Sequence, residues 1–280
     1  MPVLETIFEM KSITILTIII LTTLLCGCKK DNESNQKESI TVTLSIVDLT
    51  IFNMVETEFS VTASSEIKEA RFYFDGKSIG SVITTPYKLK YTPINIDPGQ
   101  HEIKCIVVSL NGNEFSAAKN ANLILRLGDE YKGGKIFYLD QSGVHGLISS
   151  TKDLDIVSGI GFHWGEQQLI NTTKDNGFEN TKKMISVSPN EYYAAYHFKN
   201  GYNYNGYNDW YIPAIQELEI LKENMNLVGG FTNDLNWKAN YWSSSELSAS
   251  NAEALHFNVL MGNSYNKQSY GLMVRPIRKF

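Results

Sequence analysis

The chain has 280 residues and a formal net charge of −5 at pH 7. This charge repels polyanions on average, and no basic stripe offsets it, so nucleic acid is excluded as a partner. Hydrophobic residues make up 42% of the sequence, which excludes a disordered protein. The length gives room for roughly two domains of ordinary size.

The N-terminal segment is typical of a secretory signal peptide. Lys11 precedes a mostly apolar run over residues 13–25, whose length fits the roughly 7–15 residues of a signal-peptide core. A membrane-spanning helix needs about 20 apolar residues, so a permanent span is the weaker interpretation. Glu5 and Glu9 are unusual before such a run, which makes Met10 an alternative start of the chain.

The apolar run ends in Leu25-Cys26-Gly27-Cys28, a tetrad that resembles the bacterial lipobox. The resemblance implies a signal peptide over residues 1–27 and a thioether-linked diacylglycerol on Cys28, which makes the membrane an expected partner. Each buried methylene of the acyl chains contributes about 0.8 kcal/mol, so more than one chain gives a stable anchor. An ordinary secretory peptide with two incidental cysteines is the alternative.

A polar tether over residues 28–39 follows, and it cannot bury apolar surface. Its charged, acid-containing sequence resembles the surface-export signal of Bacteroidota lipoproteins, although Lys29 and Lys30 dilute the acidic run. We therefore expect a lipid-anchored protein of the bacterial outer membrane, displayed on the cell surface in preference to the periplasmic face.

Short alternating runs with turn residues between them occupy about residues 40–127. Strands are predicted at Thr41–Val47, Glu58–Ala63, Ala70–Phe74, Tyr87–Tyr91, His101–Val108 and Glu114–Ala118. About seven strands in some 85 residues indicate a β-sandwich. The turn pair Asp75-Gly76 suits a two-residue hairpin. Ile103, Cys105 and Val107 share one face of their strand, so Cys105 is expected to be a buried thiol and not a nucleophile.

Three stretches of this first module together resemble bacterial Ig-like domains. They are Ala70–Gly80, Thr85–Tyr87 and Gly99–Cys105. The resemblance implies an all-β Ig-like sandwich that acts as a spacer or an adhesion module. It also implies that His101 packs at the start of its strand and does not bind a ligand.

The second module, about residues 128–280, mixes strands with helices. Its predicted elements are a hairpin of Ile136–Leu139 and His145–Ile148, short helices near Glu179–Ser186 and Glu191–Phe198, a helix over Pro213–Met225, and strands at Tyr241–Glu246, Ala254–Met261 and Leu272–Ile277. Proline suits the first turn of the long helix, where its missing N–H is not needed. Leu218 and Leu221 fall on one face of that helix.

The motifs of the second module resemble the Lcl C-terminal domain family. They are Gly133–Asp140, His145–Ile148, Trp164-Gly165, Gly206–Pro213, Glu217-Leu218, Tyr241–Glu246 and Val274–Arg278. The resemblance implies an α+β C-type-lectin-like domain, so we expect a multidomain chain. The family takes its name from a collagen-like adhesin whose C-terminal domain binds sulfated polysaccharide. Residues 128–280 hold 13 basic and 16 acidic side chains, which give no field for such a polyanion.

The second module offers little support for catalysis. Its layout is similar to that of the formylglycine-generating enzymes, but it has no cysteine to supply their thiols. No hydrolase elbow, calcium loop or calcium-lectin tripeptide is present, and the histidines lack metal-ligand spacing. Glu217 and Glu219 do not share a helix face, so they make a poor acid–base pair. We predict no enzyme activity, no cofactor and no metal.

A ligand-binding role remains, because sugar sites commonly combine an aromatic platform with planar polar groups. The candidate residues of these types are Asn208, Asp209, Trp210, Tyr241, Trp242, Glu246, Asn258 and Arg275. Each has a structural alternative: Trp210 and Trp242 as core residues, Asp209 as the tie of a loop, and Arg275 in a buried salt bridge.

Together these features predict an anchor, a tether, a sandwich spacer and a binding head. The leading hypothesis is an adhesin-like cell-envelope lipoprotein that binds a glycan or a protein. The first alternative is a structural or assembly component of the outer membrane that binds a protein partner. The second is an enzyme related to the formylglycine-generating group.

Overall fold

A computed structural model describes residues 37–155, 161–232, 237–259, 262–268 and 271–280. Cys28, the signal peptide over residues 1–27 and the tether as far as residue 36 lie outside these ranges, so what the sequence predicts for them stays a prediction. Residues Thr41–Phe280 form one compact unit. No helix within the described ranges is long and apolar enough to cross a membrane.

The first part of this unit is a β-sandwich. Its strands are β1 (Val42–Ile46), β2 (Thr50–Phe52), β3 (Thr57–Ala63), β4 (Ile67–Phe74), β5 (Lys77–Val82), β6 (Lys88–Tyr91), β7 (Gly99–Ser109) and β8 (Glu114–Ile124). One sheet has the order β1-β3-β6 and the other the order β2-β8-β7-β4-β5. Each strand expected from the sequence is present, and the sequence analysis missed only the short β2 and the polar β5 among the strands described here.

Period-two alternation explains the core of the sandwich. Ile103, Cys105 and Val107 of β7 are fully buried, as is Phe59 of β3 in the other sheet. Burial raises the pKa of the Cys105 thiol to about 12. The thiol is therefore protonated at neutral pH, as expected for an inert core cysteine.

The turn between β4 and β5 also fixes the end of β7. Asp75 and Gly76 both have positive φ angles, 46° and 74°, which match a two-residue hairpin turn. The Asp75 carboxylate accepts a hydrogen bond from the backbone N–H of Glu102 at 2.9 Å and lies 2.6 Å from Nδ1 of His101. The His101 ring stacks on Phe74. His101 therefore holds the start of β7, as the sequence pattern implies.

The second part of the unit is an α+β arrangement with two small sheets. Its strands are β9 (Glu130–Tyr131), β10 (Gly134–Leu139), β11 (Gly146–Ser149), β12 (Asn240–Glu246), β13 (Asn251–His256), β14 (Gly262–Asn266) and β15 (Ile277–Lys279). The sheet orders are β15-β11-β10-β9 and β12-β13-β14. The helices are α1 (Gly177–Ile185), α2 (Ile215–Glu223) and α3 (Met225–Val228), with 3-10 turns at Ala194–Phe198 and Trp237–Ala239.

Helix α2 is the centre of the second core, but it begins later than the sequence predicts. The Glu217 carboxylate accepts the backbone N–H of Ala214 at 2.9 Å and that of Gly177 at 3.0 Å. This makes Ala214 the N-terminal cap and leaves Pro213 outside the first turn. Leu218 and Leu221 are fully buried in a cluster with residues of β10, β12 and β13, as predicted for the apolar face of the helix.

The C-terminal segment differs from its prediction in a similar way. Leu272 and Met273 form only isolated bridges, and the strand itself covers Ile277–Lys279. Two residues interrupt the predicted strand. Pro276 has no backbone N–H to donate to a neighbouring strand. The side chain of Arg275 is buried, at a position where a strand packed against a core would carry an apolar residue.

Candidate ligand-binding site

A cavity of about 410 Å³ lies where the sandwich meets the second part of the chain. We call it the junction pocket. Its walls come from two loops of the sandwich, from β9 and the turn into β10, and from one turn before α2. The second residue after the end of β11 completes them. The residues that line it are Met54, Ile94, Asn95, Glu130, Tyr131, Gly133, Gly134, Thr151, Asn205 and Tyr207.

Asn53 fastens the sandwich to the second part behind this pocket. It is fully buried; its Nδ2 donates to the carbonyl of Glu130 at 2.8 Å, and its Oδ1 accepts the backbone N–H of Asn95 at 3.2 Å. Asn95 in turn accepts the backbone N–H of Lys132 on its Oδ1 at 2.9 Å. These bonds satisfy buried polar groups on both sides, so they fix the distance between the two walls.

Asp97 makes a second connection across the same junction. Its Oδ1 accepts a hydrogen bond from the Tyr131 hydroxyl at 2.6 Å and lies 2.7 Å from Nζ of Lys132. The hydrogen bond from Lys132 holds the pKa of the Asp97 carboxyl below its usual value. Charge-assisted bonds of this kind are shorter and stronger than neutral ones, so they also favour a preformed pocket.

The opposite wall is a tight turn over residues 204–207. The backbone groups of Tyr204 and Tyr207 bond to each other in both directions, at 2.9 and 3.1 Å. Asn205 and Gly206 have φ angles of 50° and 84°, which is the conformation that Asn-Gly pairs favour in hairpin turns. Nδ2 of Asn205 donates to the carbonyl of Gly133 at 2.9 Å and ties the turn to β10.

Gly133 must be a glycine for two reasons. Its φ angle is +92°, a region that side chains disfavour. A Cβ atom at this position would also lie 2.6 Å from Cδ2 of Tyr207. The absence of a side chain at Gly133 therefore allows the Tyr207 ring to lie against the backbone that forms the pocket floor.

Arg278 supports the Tyr207 ring from behind. Its guanidinium lies 4.1 Å from the ring centroid, within the range of a cation–π contact. The same group binds both carboxylate oxygens of Asp209, at 2.7 and 2.8 Å, and donates to the carbonyl of Lys132 at 2.9 Å. The hydrogen bond from Arg278 lowers the pKa of the Asp209 carboxyl. This pairing fixes the orientation of the guanidinium and, through it, that of the ring.

Several polar groups of the pocket have no protein partner in the described ranges. They are the carboxylate of Glu130, Nδ2 of Asn95, Oδ1 of Asn205 and the hydroxyl of Tyr207. Two cations beside the pocket are engaged, Lys132 with Asp97 and Arg278 with Asp209. Lys135, which lies opposite Glu130 in the β9–β10 pairing, donates to the carbonyl of Leu227 at 3.5 Å. The pocket therefore offers free hydrogen-bond acceptors and donors beside an aromatic ring.

Three of the residues selected from the sequence lie next to this pocket without lining it. Asp209 acts through Arg278, as described above. Trp210 is buried; its ring meets that of Tyr204 edge-on at 5.5 Å, and its Nε1 donates to the Tyr204 carbonyl at 3.2 Å. Asn208 is exposed and does not line the pocket. The alternatives stated for Trp210 and Asp209, a core residue and a loop tie, describe what they do.

Tyr241 and Arg275 lie in the core instead. Nε of Arg275 binds Asp153 at 2.6 Å, and the Tyr241 hydroxyl donates to the other oxygen of that carboxylate at 3.0 Å. The Arg275 guanidinium also donates to the carbonyls of Ser150, Gly229 and Gly230 and is fully buried. Neither side chain has exposed surface left for a ligand, so the buried salt bridge is the role that the structure gives Arg275.

Trp242, Glu246 and Asn258 also lie away from the pocket. Trp242 is fully buried, and its Nε1 donates to the carbonyl of Phe162 at 2.7 Å. Glu246 pairs with the buried Lys267 at 2.8 Å and accepts backbone N–H groups at residues 170 and 172. Nδ2 of Asn258 donates to the carbonyl of Thr232 at 3.0 Å. We therefore move the candidate site from these three residues to the junction pocket.

The residues that line the pocket are not among those predicted from the sequence, although the sequence contains one signal. Tyr204-Asn205-Gly206-Tyr207 is a turn dipeptide between two aromatic residues, a pattern that predicts a tight turn presenting its rings. Nothing in the sequence relates this turn to Asn95 or Glu130, since the three segments meet only in the fold. In the described ranges, no group of three or more His, Cys, Asp or Glu side chains is placed to hold a metal ion.

No family model matches the chain, and no curated protein matches it either. Many solved structures are similar to parts of it, and three serve as examples. The fibronectin(III)-like modules of Clostridium thermocellum CbhA are 20% identical, with 31% of this chain and 96% of that chain covered and a TM-score of 0.26. Parabacteroides merdae β-glucuronidase is 15% identical, with 40% of this chain and 15% of that chain covered and a TM-score of 0.26.

The third is a structure of carbohydrate-binding modules from the β-sandwich superfamily, 12% identical, with 41% of this chain and 48% of that chain covered and a TM-score of 0.29. This chain thus spans about half or less of the second and third structures. Because all three TM-scores are below 0.5, the proposal that follows rests on the junction pocket and not on these similarities.

Proposed function

We propose that the protein is a lipid-anchored cell-envelope protein that binds a glycan in the junction pocket. The observation that carries the proposal is the composition of the pocket. It combines a tyrosine ring of fixed orientation, two amide side chains that each keep one polar atom without a protein partner in the described ranges, and a carboxylate without such a partner. Sugar ligands present alternating apolar ring faces and hydroxyl groups, which such a combination can contact together. The sandwich is then part of the binding unit as well as a spacer.

The charge of the pocket favours a neutral glycan over a sulfated one. Glu130 places a carboxylate in the pocket, and Lys132 and Arg278 are already paired with aspartates. Lys135, opposite Glu130 on β10, does not line the pocket, so a sulfate group entering it would meet the carboxylate first. Like charges brought together in a partly desolvated site disfavour binding, so the pocket selects against polyanions.

The anchor is the second element of the proposal. The lipobox-like tetrad that ends at Cys28 and the polar tether over residues 28–39 support attachment to the outer membrane with the binding unit held away from it. The acid-containing tether supports display on the cell surface. A surface-exposed glycan-binding protein fits this arrangement, because its ligand reaches it from outside the cell.

A glycan array probed with the detergent-solubilised full chain tests the binding function. We expect binding to neutral glycans that Tyr207→Ala reduces at least tenfold, about 1.4 kcal/mol. Tyr138→Ala is the matched control, because Tyr138 is exposed on β10 outside the pocket and its loss should leave binding unchanged. Binding to no glycan, or to sulfated glycans alone, would contradict the proposal.

Metabolic labelling with radioactive palmitate tests the anchor. The natural chain and Cys26→Ala should incorporate label and sediment with membranes, whereas Cys28→Ala should lose both properties. The two variants differ only in which cysteine of the tetrad is removed. Membrane association of Cys28→Ala equal to that of the natural chain would contradict the lipid anchor.

A further inference from the structure

We infer that the junction pocket continues along the rings of Tyr204 and Tyr202, so that the site binds a chain of sugar units and not a single terminal sugar. We call these two rings the aromatic track. The inference rests on the proposed function and adds the class of glycan: an oligosaccharide or polysaccharide bound along its length.

Tyr204 is in direct contact with the pocket. Thr151, which lines the pocket, has its Oγ1 2.7 Å from the Tyr204 hydroxyl. Tyr204 also pairs through its backbone with Tyr207 on the pocket wall. A ligand on the Tyr207 ring that extends past Thr151 therefore meets the Tyr204 ring next.

Tyr202 extends the same surface. Its ring is parallel to that of Tyr204 within 7°, with the centroids 6.5 Å apart, and both rings are half-buried. The Tyr202 hydroxyl has no partner in the described ranges, and burial raises its pKa, so at neutral pH it remains a hydrogen-bond donor. Parallel rings with a free hydroxyl beside them match the alternating apolar and hydroxyl surfaces of successive sugar units.

Buried aromatic residues hold both rings in place from behind. Trp210 meets Tyr204 edge-on at 5.5 Å, and Phe198 lies 5.5 Å from Tyr202. Both supporting side chains are buried. Rings that are already fixed lose little conformational entropy on binding, which is the property expected of a contact surface and not of a mobile loop.

The charge along the track is also compatible with a neutral chain. Asp155 is exposed and close enough to Tyr202 to contribute to the higher pKa of its hydroxyl. Glu130 in the pocket and Asp155 at the track are carboxylates, and the exposed Lys152 directly follows Thr151, so the site carries charges of both signs. A neutral chain meets neither net attraction nor net repulsion there.

The test is a titration of the full chain in detergent with neutral oligosaccharide ladders of glucose, mannose, galactose and xylose, in lengths of one, two, four and six units. Isothermal titration calorimetry gives the affinity for each length. For the ladder that binds, we expect the affinity of the natural chain to rise at least tenfold between one and four units. Tyr202→Ala should abolish this rise while the affinity for one unit stays unchanged, and Tyr138→Ala should behave as the natural chain.

The outcomes separate the inference from the function on which it rests. Affinity that does not depend on length, or a rise with length that survives Tyr202→Ala, overturns the aromatic track and leaves the pocket intact. An equal loss at every length in Tyr202→Ala, with a lowered melting temperature, assigns Tyr202 a structural role and also overturns the track. No binding of any ladder overturns the proposed function itself. Tyr202→Phe, which keeps the ring, should retain most of the rise.

Discussion

Arg275 and Arg278 stand three residues apart, and each binds one aspartate, yet they serve different regions of the molecule. Arg275 binds Asp153 in the core at 2.6 Å, with its side chain fully buried. Arg278 binds Asp209 at 2.7 Å, with the carboxylate half-exposed. The difference lies in what the rest of each guanidinium contacts, since the same ion pair can hold a core together or orient a binding surface.

The region around Arg275 uses four of the five N–H donors of the guanidinium for structure. Three backbone carbonyls, at Ser150, Gly229 and Gly230, accept its hydrogen bonds, and Phe231 lies against its face at 3.8 Å. The residue therefore closes a loop over the core cluster. A buried pair of this kind is costly to break, because one charge would remain in a nonpolar environment.

The region around Arg278 uses one face of the guanidinium to support a ring. That ring belongs to Tyr207, which lines the junction pocket. Because the carboxylate of Asp209 is half-exposed, solvent screens this pair, and its contribution to folding is smaller. The effect of the pair on the orientation of Tyr207 is what matters for binding.

The largest expected effect is the difference in stability between two variants, each of which replaces one of these arginines by alanine. Arg275→Ala should lower the free energy of unfolding by about 3–5 kcal/mol, because Asp153 is left buried without its partner. Arg278→Ala should lower it by only about 1 kcal/mol, because its pair is partly solvated. Urea denaturation followed by circular dichroism measures both.

The affinity for the glycan should show the reverse order. Arg278→Ala frees the Tyr207 ring and should weaken binding about tenfold, or ~1.4 kcal/mol. Arg275→Ala, measured at a temperature where it remains folded, should bind as the natural chain does. Equal losses of stability, or unchanged affinity in Arg278→Ala, would contradict the division between the two regions.

A smaller effect should separate the pocket floor from an ordinary turn. Gly133→Ala and Gly143→Ala both place a side chain at a positive φ angle, which costs roughly 1–2 kcal/mol in each case. Only at position 133 does the new Cβ meet Tyr207, since nothing lies within 4 Å of a Cβ at position 143. Calorimetric titration should therefore show weaker glycan binding for Gly133→Ala alone. A similar loss in both variants would remove Tyr207 from the account.

The smallest effect is a pH dependence of opposite sign in the two regions. Arg278 holds the pKa of Asp209 below 3.8, so this pair contributes stability above that pH and loses it as the pH falls through the folded pKa. Burial raises the pKa of Asp153 above 3.8 despite Arg275, so its contribution to stability decreases as the pH rises from 3.8 through the folded pKa.

Urea denaturation at a series of acidic pH values, with Asp209→Asn and Asp153→Asn, measures these contributions. On acidification the stability difference between the natural chain and Asp209→Asn should shrink. The difference between the natural chain and Asp153→Asn should grow. If both differences change in the same direction, the environments assigned to the two aspartates are incorrect.

The sandwich could be predicted from the sequence because its signals are local. Alternation along β7 and the turn pair Asp75-Gly76 specify a strand and a hairpin within a few residues. The second part is less regular. The strand predicted at Ala254–Met261 is instead β13, which ends at His256, and the polar β14 is not predicted. Hydrophobic periodicity carries no information about the buried pair of Lys267 with Glu246, because its polar groups are satisfied inside the fold.

The candidate site could be predicted only in its neighbourhood. Asp209 and Trp210, predicted as ligand-binding from their residue types, support the rings of Tyr207 and Tyr204, whereas Asn208 is exposed and does not line the pocket. The walls come from segments far apart in the chain, such as Asn53 with Glu130, separated by 77 positions. A local sequence pattern cannot predict that such distant segments meet in the fold. Aromatic residues of the kind found in binding sites are equally suited to a core, as the fully buried Trp242 shows.

Hydrogen exchange of the full chain with and without its tightest-binding neutral oligosaccharide tests the central claim most directly, because it reads the two regions in one measurement. The junction pocket as the binding site predicts slower exchange at residues 93–97, 130–134 and 203–208, with no change along β12. Slower exchange confined to β12 and its neighbours, with none at the junction, would contradict it.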